Sequence, residues 1–286
     1  MTRTLPLQRR GAAEPGAPAG PARPARRRSP RNVALGVVGL AAFGALLDIA
    51  PRIGLVPARY MPPSSQIVAE LADQVRQAEF WMVLRETLIT WGIGLGIAVA
   101  GGVVLGVVIG AVPLLRAATA STIEFLRPIP SVAWIPLAVI LYGSSRPATL
   151  LLVVYASFWQ VLVQVLHGVV DVDPVARDTA RAYRLGRWAQ VRYLVWPTAL
   201  PYAVTGIRLA TSVALILTVT GELLLGTPGL GQQINTARLS GTSAVESMYA
   251  LVLVTGLLGV AANLVTRAAE RRVLAWHTSV RTEVVA

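Results

Sequence analysis

The chain has 286 residues, 54 % of them apolar and only 14 % charged, with a net charge of +12 and a mean hydropathy of +0.60. A soluble globular chain is roughly 45–50 % apolar and about 25 % charged, so this composition is suited to lipid. All 26 basic residues are Arg, and there is no Cys; a Walker A loop, a Schiff-base lysine, a disulfide and a thiolate nucleophile are therefore excluded, and two lone His (His167, His277) make a poor metal site.

Six stretches approach the ~20 apolar residues that a membrane span needs, at about 33–50, 87–111, 129–143, 148–169, 202–224 and 248–266. Before them, residues 1–31 are Pro, Ala, Gly and Arg, too poor in large apolar side chains to fold, and read as a disordered tail. Arg9-Arg10 is no twin-arginine export signal, because Gly11-Ala-Ala-Glu-Pro15 follows it in place of an apolar run. The first span with its connector covers 32–60. Its apolar run from Val33 to Leu47 has the length of a signal-peptide core, but Asp48-Ile-Ala-Pro-Arg52 is a poor cleavage site, so an uncleaved span is expected.

Ile67, Leu71 and Val75 then recur at i, i+4 and predict a short amphipathic surface helix. The second span carries Gly102, Gly106 and Gly110 at i, i+4, with Gly92 and Gly96 in the same spacing, a pattern that lets a neighbouring helix approach closely. Residues 124–136 (EFLRPIPSVAWIP) hold three prolines, Pro128, Pro130 and Pro136, which cannot sit in one unbroken helix. Backbone groups freed at membrane depth must be buried in protein or face water, so bent packing and a pathway wall are both open for this segment.

The most specific stretch is 171–197 (DVDPVARDTARAYRLGRWAQVRYLVWP). Asp173 before Pro174 is a helix start, Gly186 a natural C-terminal stop, and a second short helix runs from Arg187 until Pro197 and Pro201 break it. This helix–turn–helix is too large for a simple connector. Five arginines lie in it, eight in the N-terminal tail and four after the sixth span, while the other side of a six-span chain is sparsely basic. The positive-inside rule puts the basic side, and both termini, in the cytoplasm. The net charge is thereby explained by orientation and anionic lipid, without nucleic acid.

Four ionisable or helix-breaking residues within the spans are candidates for a pathway: Glu124, Pro130, Arg208 and Glu222. Glu124 and Arg127 stand at i, i+3 and can pair with each other. Arg208 either faces a pathway, favouring an anionic solute, or snorkels to the interface. Glu222 is expected near the outer interface, where its carboxylate would be hydrated.

The residues Asp-Thr-Ala180, then Gly186, then Val-Trp-Pro197 with Pro201 resemble the EAA loop of the membrane subunits of ATP-binding-cassette (ABC) importers. Residues 124–136, Tyr142-Gly143 and Gly229-Leu-Gly231 are similar to the nitrate/sulfonate/taurine branch of these permeases, so the resemblance spans about 65–265. It implies an all-α polytopic fold of the type I importer permeases, with a core over 61–270, a coupling loop over 171–201 and a cytoplasmic tail over 271–286. Asp178, Thr179 and Ala180 take the Glu-Ala-Ala positions, Gly186 provides the turn and Pro197 the close; Arg181, Arg184 and Arg187 flank them. Two departures stand out: Asp and Thr replace Glu and Ala, and with the alignment anchored on Pro197 the Gly falls two places late, leaving Arg184 at its usual position.

The resemblance implies a transport subunit of the cell membrane without catalytic residues or cofactors of its own. ATP and Mg would sit on separate cytoplasmic ABC ATPase subunits, which dock on the coupling loop. A second permease copy, most simply an identical one, would complete the pathway, and an extracytoplasmic solute-binding protein would deliver a small solute of the nitrate, sulfonate or taurine type, expected to be anionic. The competing reading is an ion-coupled carrier or channel, which would need the intramembrane acids to carry ions and would leave the 171–197 projection without a partner. A membrane-embedded enzyme fails for want of a nucleophile, metal set or acid–base pair.

Overall fold

The computed structural model describes residues 30–57 and 59–275; nearly all of the tail read over 1–31, and residues 276–286, lie outside the described residues. Within them the secondary structure is entirely helical: α1 (Pro30–Arg52), α2 (Ser64–Val75), α3 (Ala78–Ala111), α4 (Pro113–Leu126), α5 (Ile135–Tyr142), α6 (Arg146–Val170), α7 (Pro174–Ala182), α8 (Arg187–Gln190), α9 (Trp196–Leu225), α10 (Leu230–Leu239) and α11 (Val245–Val273). Among the described residues, five helical runs are long and apolar enough to span a membrane, and a sixth span forms if the bent pair of Pro113–Leu126 and Ser131–Tyr142 is counted as one. The expected spans are therefore present, with three corrections to their outlines.

The second span starts at Ala78, nine residues before the apolar run, because a helix continues through polar residues once it is nucleated. The third is not a helix over 129–143. It opens at Pro113 and turns by 84° between α4 and α5, where Pro128 and Pro130 remove backbone donors. Pro197 and Pro201 do not end the second hairpin helix either. A π turn over Val191–Val195 widens the backbone ahead of Pro197, so the helical run continues from Arg187 to Leu225.

The core is a three-helix contact between α3, α6 and α9. A Cβ on Gly102, Gly106 or Gly110 would lie 2.7–2.8 Å from the Cβ of Val161, Val165 and Val169 respectively. The stripe continues upward through Ala98 and Gly94, which meets Val153; Gly92 and Gly96 point elsewhere, with nothing within 4 Å of their Cβ positions. Val161, Val165 and Val169 also pack against Ala199, Ala203 and Ala210 of α9. With no hydrophobic force between helices in lipid, such close backbone approach supplies the dispersion contact that holds them.

The amphipathic helix expected around 67–75 is α2. Asp48 of α1 caps it remotely, accepting hydrogen bonds from the Ser65 N–H (3.0 Å) and hydroxyl (2.7 Å), and Gln74 donates to the Ser247 hydroxyl of α11 (2.7 Å). Leu35, Val37, Val38, Phe43, Leu46 and Ile49 of α1 are exposed, and the main packing of α1 is against α2.

Candidate functional site

The hairpin of α7 and α8 projects from one end of the bundle. Asp173 caps α7 as its sequence predicts, accepting from the Val175 N–H (2.8 Å), with Pro174 in the first turn. Ala180 turns inward and is buried, while Asp178, Thr179, Arg181, Arg184 and Arg187 are exposed; Asp178 and Arg181 pair across 3.1 Å at the surface. Val175, Tyr183 and Trp188 are 72 %, 80 % and 75 % exposed. Val175, Ala182 and Tyr183 follow helical i, i+7, i+8 spacing and are all exposed, so an apolar strip with a polar and charged border faces away from the bundle.

Gly186 does not make the turn. Its φ is −61°, nothing lies within 4 Å of its Cβ position, and it serves as the residue before α8. The left-handed residue is Arg184, at φ +52°, the only non-glycine with positive φ among the described residues. Around it, the Leu185 N–H donates to the Ala180 carbonyl (3.0 Å) and the Arg184 N–H to the Arg181 carbonyl (2.9 Å). These are the paired bonds of a Schellman motif, whose left-handed position glycine normally fills. The glycine that the sequence shows two places late is displaced from the turn, and an arginine adopts the conformation in its stead. Pro197 lies in the first turn of α9, after the π turn.

The pathway candidates separate into three environments. Glu124 lies exposed on a groove of about 520 Å³ between α4 and α6, with Arg116, Arg127 and His167. Glu124 and Arg127, which their i, i+3 spacing would allow to pair, form no ion pair with each other; both line the groove. Pro130 is exposed at the α4–α5 bend. The Tyr155 hydroxyl anchors that bend by donating to the Leu126 carbonyl (2.6 Å). Arg208 pairs with Glu270 of α11 (3.1 Å) and closes one end of a second groove, about 770 Å³, between α9 and α11. That partner is 62 residues away in the chain, beyond what local spacing reveals.

Glu222 does not lie at a hydrated surface. It is wholly buried, and its Oε2 accepts from the Thr87 hydroxyl (2.9 Å) and the Gly231 N–H (3.0 Å), while the Leu230 N–H donates to the Thr87 oxygen (2.8 Å). A Cβ on Gly229, at φ +155°, would lie 2.1 Å from the Glu222 carboxyl carbon; one on Gly231 would lie 2.2 Å from the Val219 carbonyl oxygen. The two glycines of Gly229-Leu-Gly231 thus let the loop after α9 fold down onto the carboxylate, which caps α10 from the preceding helix. Nearby, Arg146 and Glu86 form an ion pair at the same end of the bundle.

Residues 74–275 match the family described as binding-protein-dependent transport system inner membrane component. The chain is similar to the taurine transport system permease protein TauC of Escherichia coli (strain K12), 28 % identical over 256 residues that cover 88 % of this chain and 92 % of that one. It is also similar to the nitrate import permease protein NrtB of Leptolyngbya laminosa, 28 % identical over 187 residues, covering 65 % and 66 %. Among solved structures, the fold resembles a chain of a bacterial alginate ABC transporter in complex with an alginate-bound periplasmic protein, with a TM-score of 0.60 at 15 % identity, covering 85 % of this chain and 96 % of that one.

Proposed function

The chain belongs to the inner membrane components of binding-protein-dependent transport systems, the permeases of ABC importers, and from that premise we propose that it carries a small anionic solute across the cell membrane, driven by a separate cytoplasmic ATPase that docks on the α7–α8 hairpin. The observation that carries this reading is the exposed strip of Val175, Tyr183 and Trp188 on a hairpin beyond the end of the spans. Exposed aromatics with a rim of arginine suit a protein partner, since such residues supply most interface energy. Asp178, Thr179, Arg181, Arg184 and Arg187 form the rim, Ala180 seats the helix on the bundle, and Gly186 and Pro197 shape the return of the chain into α9.

ATP and Mg belong on that partner, in keeping with a chain that has no lysine. Two copies pair around the pathway, the arginine-rich end and both termini face the cytoplasm, and an extracytoplasmic binding protein delivers solute at the opposite end. ATP acts by binding one arrangement of the assembly more tightly than the other, and the hairpin transmits that preference. The anionic class is supported by relatives named for taurine, which carries a sulfonate, and nitrate. An ion-coupled carrier is disfavoured because Glu222 is engaged in capping α10.

The test is co-purification. With the chain tagged and extracted in mild detergent, a P-loop ATPase is expected to accompany the native protein and to be lost from a Tyr183→Asp variant that still inserts. A well-inserted native protein that brings down no ATPase would overturn the reading.

A further inference from the structure

We propose that the groove between α4 and α6 is the oxyanion-selecting lane of the permease, with Arg127 as its specificity-determining residue; this rests on the importer reading and deepens it. Arg116, Arg127 and His167 face the groove with one carboxylate, Glu124, and apolar walls from Ile123 and Val163. Among the described residues none of these charged side chains has an ion-pair partner. Two guanidiniums against one carboxylate leave the groove with an excess positive charge, a field that concentrates anions.

Depth decides what the anion is attached to. Leu126 is tied to Tyr155, which stands twelve residues before His167, so Arg127 lies roughly 18 Å along α6 from the His167 end. Arg116 is at that end, next to the turn between α3 and α4. A lipid phosphate stays at the interface and reaches Arg116 alone. A free solute can follow the groove from Arg127 to Arg116. Unpaired charge at mid-span persists where it faces water or the interior of an assembly.

The chemistry fits small oxyanions. The guanidinium fork presents paired N–H donors that match two oxygens of a sulfonate or nitrate, and an arginine already engaged by a carboxylate would be closed to them. Glu124, on the same wall but not bonded to Arg127, supplies the counter-field that keeps binding weak enough for release.

The chain has no cysteine, so a single Ala120→Cys, on an exposed groove position, is the reporter in native membranes. Its labelling is timed with two water-soluble methanethiosulfonates, one carrying a sulfonate and one a trimethylammonium, each normalised to its rate with a free thiol. The sulfonate reagent is expected to react about ten-fold faster. That preference should fall several-fold in Arg127→Gln, fall less in Arg127→Lys, which keeps the charge but not the fork, and fall again in Arg116→Gln, which reads the lane if the first variant does not insert. Equal rates, faster labelling by the cation, no labelling by either, or a preference indifferent to both glutamine variants would overturn the lane. ATPase co-purification is scored on the same membranes: an ATPase present without the anion preference sinks the lane alone, and the preference without an ATPase sinks the importer reading alone.

Discussion

Thr87 and Glu222, 135 residues apart in the chain, share a hydrogen bond of 2.9 Å in the core, and between them they hold the first N–H groups of α10. The Glu222 Oε2 takes the Gly231 N–H, and the Thr87 oxygen takes that of Leu230. A helix whose own preceding residue is glycine, with no side chain to cap it, is capped by two other helices. This fixes α10 across the end of the bundle, against Phe80 of α3 and Leu251 of α11.

Glu222→Ala leaves a buried hydroxyl and a buried N–H without their acceptor, at about 1–3 kcal/mol for each unpaired group. Glu222→Gln keeps an acceptor oxygen for both bonds, and only its amide nitrogen, in the place of Oε1, is left without a partner among the described residues. The unfolding midpoint in detergent is expected to drop markedly for Glu222→Ala and little for Glu222→Gln. Equal losses would show that charge, rather than the two hydrogen bonds, holds the loop.

Gly102→Ala forces a methyl to within 2.7 Å of Val161 and 3.1 Å of the Leu162 backbone nitrogen. Overpacking of this kind costs about 1–3 kcal/mol. Gly96→Ala, on the same helix but in open space, should leave the midpoint unchanged or raise it slightly, since alanine favours a helix over glycine. Thermal unfolding of the two variants side by side distinguishes a packing seam from a general intolerance of the helix.

Arg184→Gly relieves a left-handed conformation that costs a non-glycine residue about 1 kcal/mol and should slow proteolysis of the hairpin. Gly186→Ala meets no atom and no positive φ, so insertion and ATPase capture should match the native chain. Substitution at Gly186 is accordingly a weak probe of docking. A Gly186→Ala variant that misfolds the hairpin would show that the turn is at 186 after all.

The Arg208–Glu270 pair joins α9 to α11, with both side chains partly exposed. A double-mutant cycle with Arg208→Ala and Glu270→Ala is expected to give a coupling of about 0.5–1 kcal/mol, as screened pairs do, and the swap Arg208→Glu with Glu270→Arg should recover much of it. Zero coupling would mean that α11 is held by its apolar contacts alone.

The spans and the capped start of α7 are legible in the sequence because they depend on local pattern: long apolar runs, and Asp173 next to Pro174. Glu222 reads as hydrated from sequence because its partners, Thr87 and the folded-back loop, come from distant positions, although Gly229 and Gly231 are the trace of that close approach. Arg184 is hidden for a different reason. Its left-handed φ is imposed by the hairpin, and the glycine two places later is the stronger local turn signal. The start of the broken span at Pro113 is not visible because residues 116–124 are only weakly apolar, so hydropathy alone assigns the crossing to 129–143.

The most direct measurement of the coupling claim is site-specific cross-linking from the cysteine-free chain. A photoreactive thiol reagent is attached at Tyr183→Cys on the hairpin, and separately at Tyr60→Cys, whose backbone carbonyl accepts from Tyr249 at the other end of the bundle. An ATPase adduct is expected from position 183 and none from position 60. An ATPase captured equally from both, or from neither in membranes that contain it, would contradict the assignment of the hairpin as the docking element.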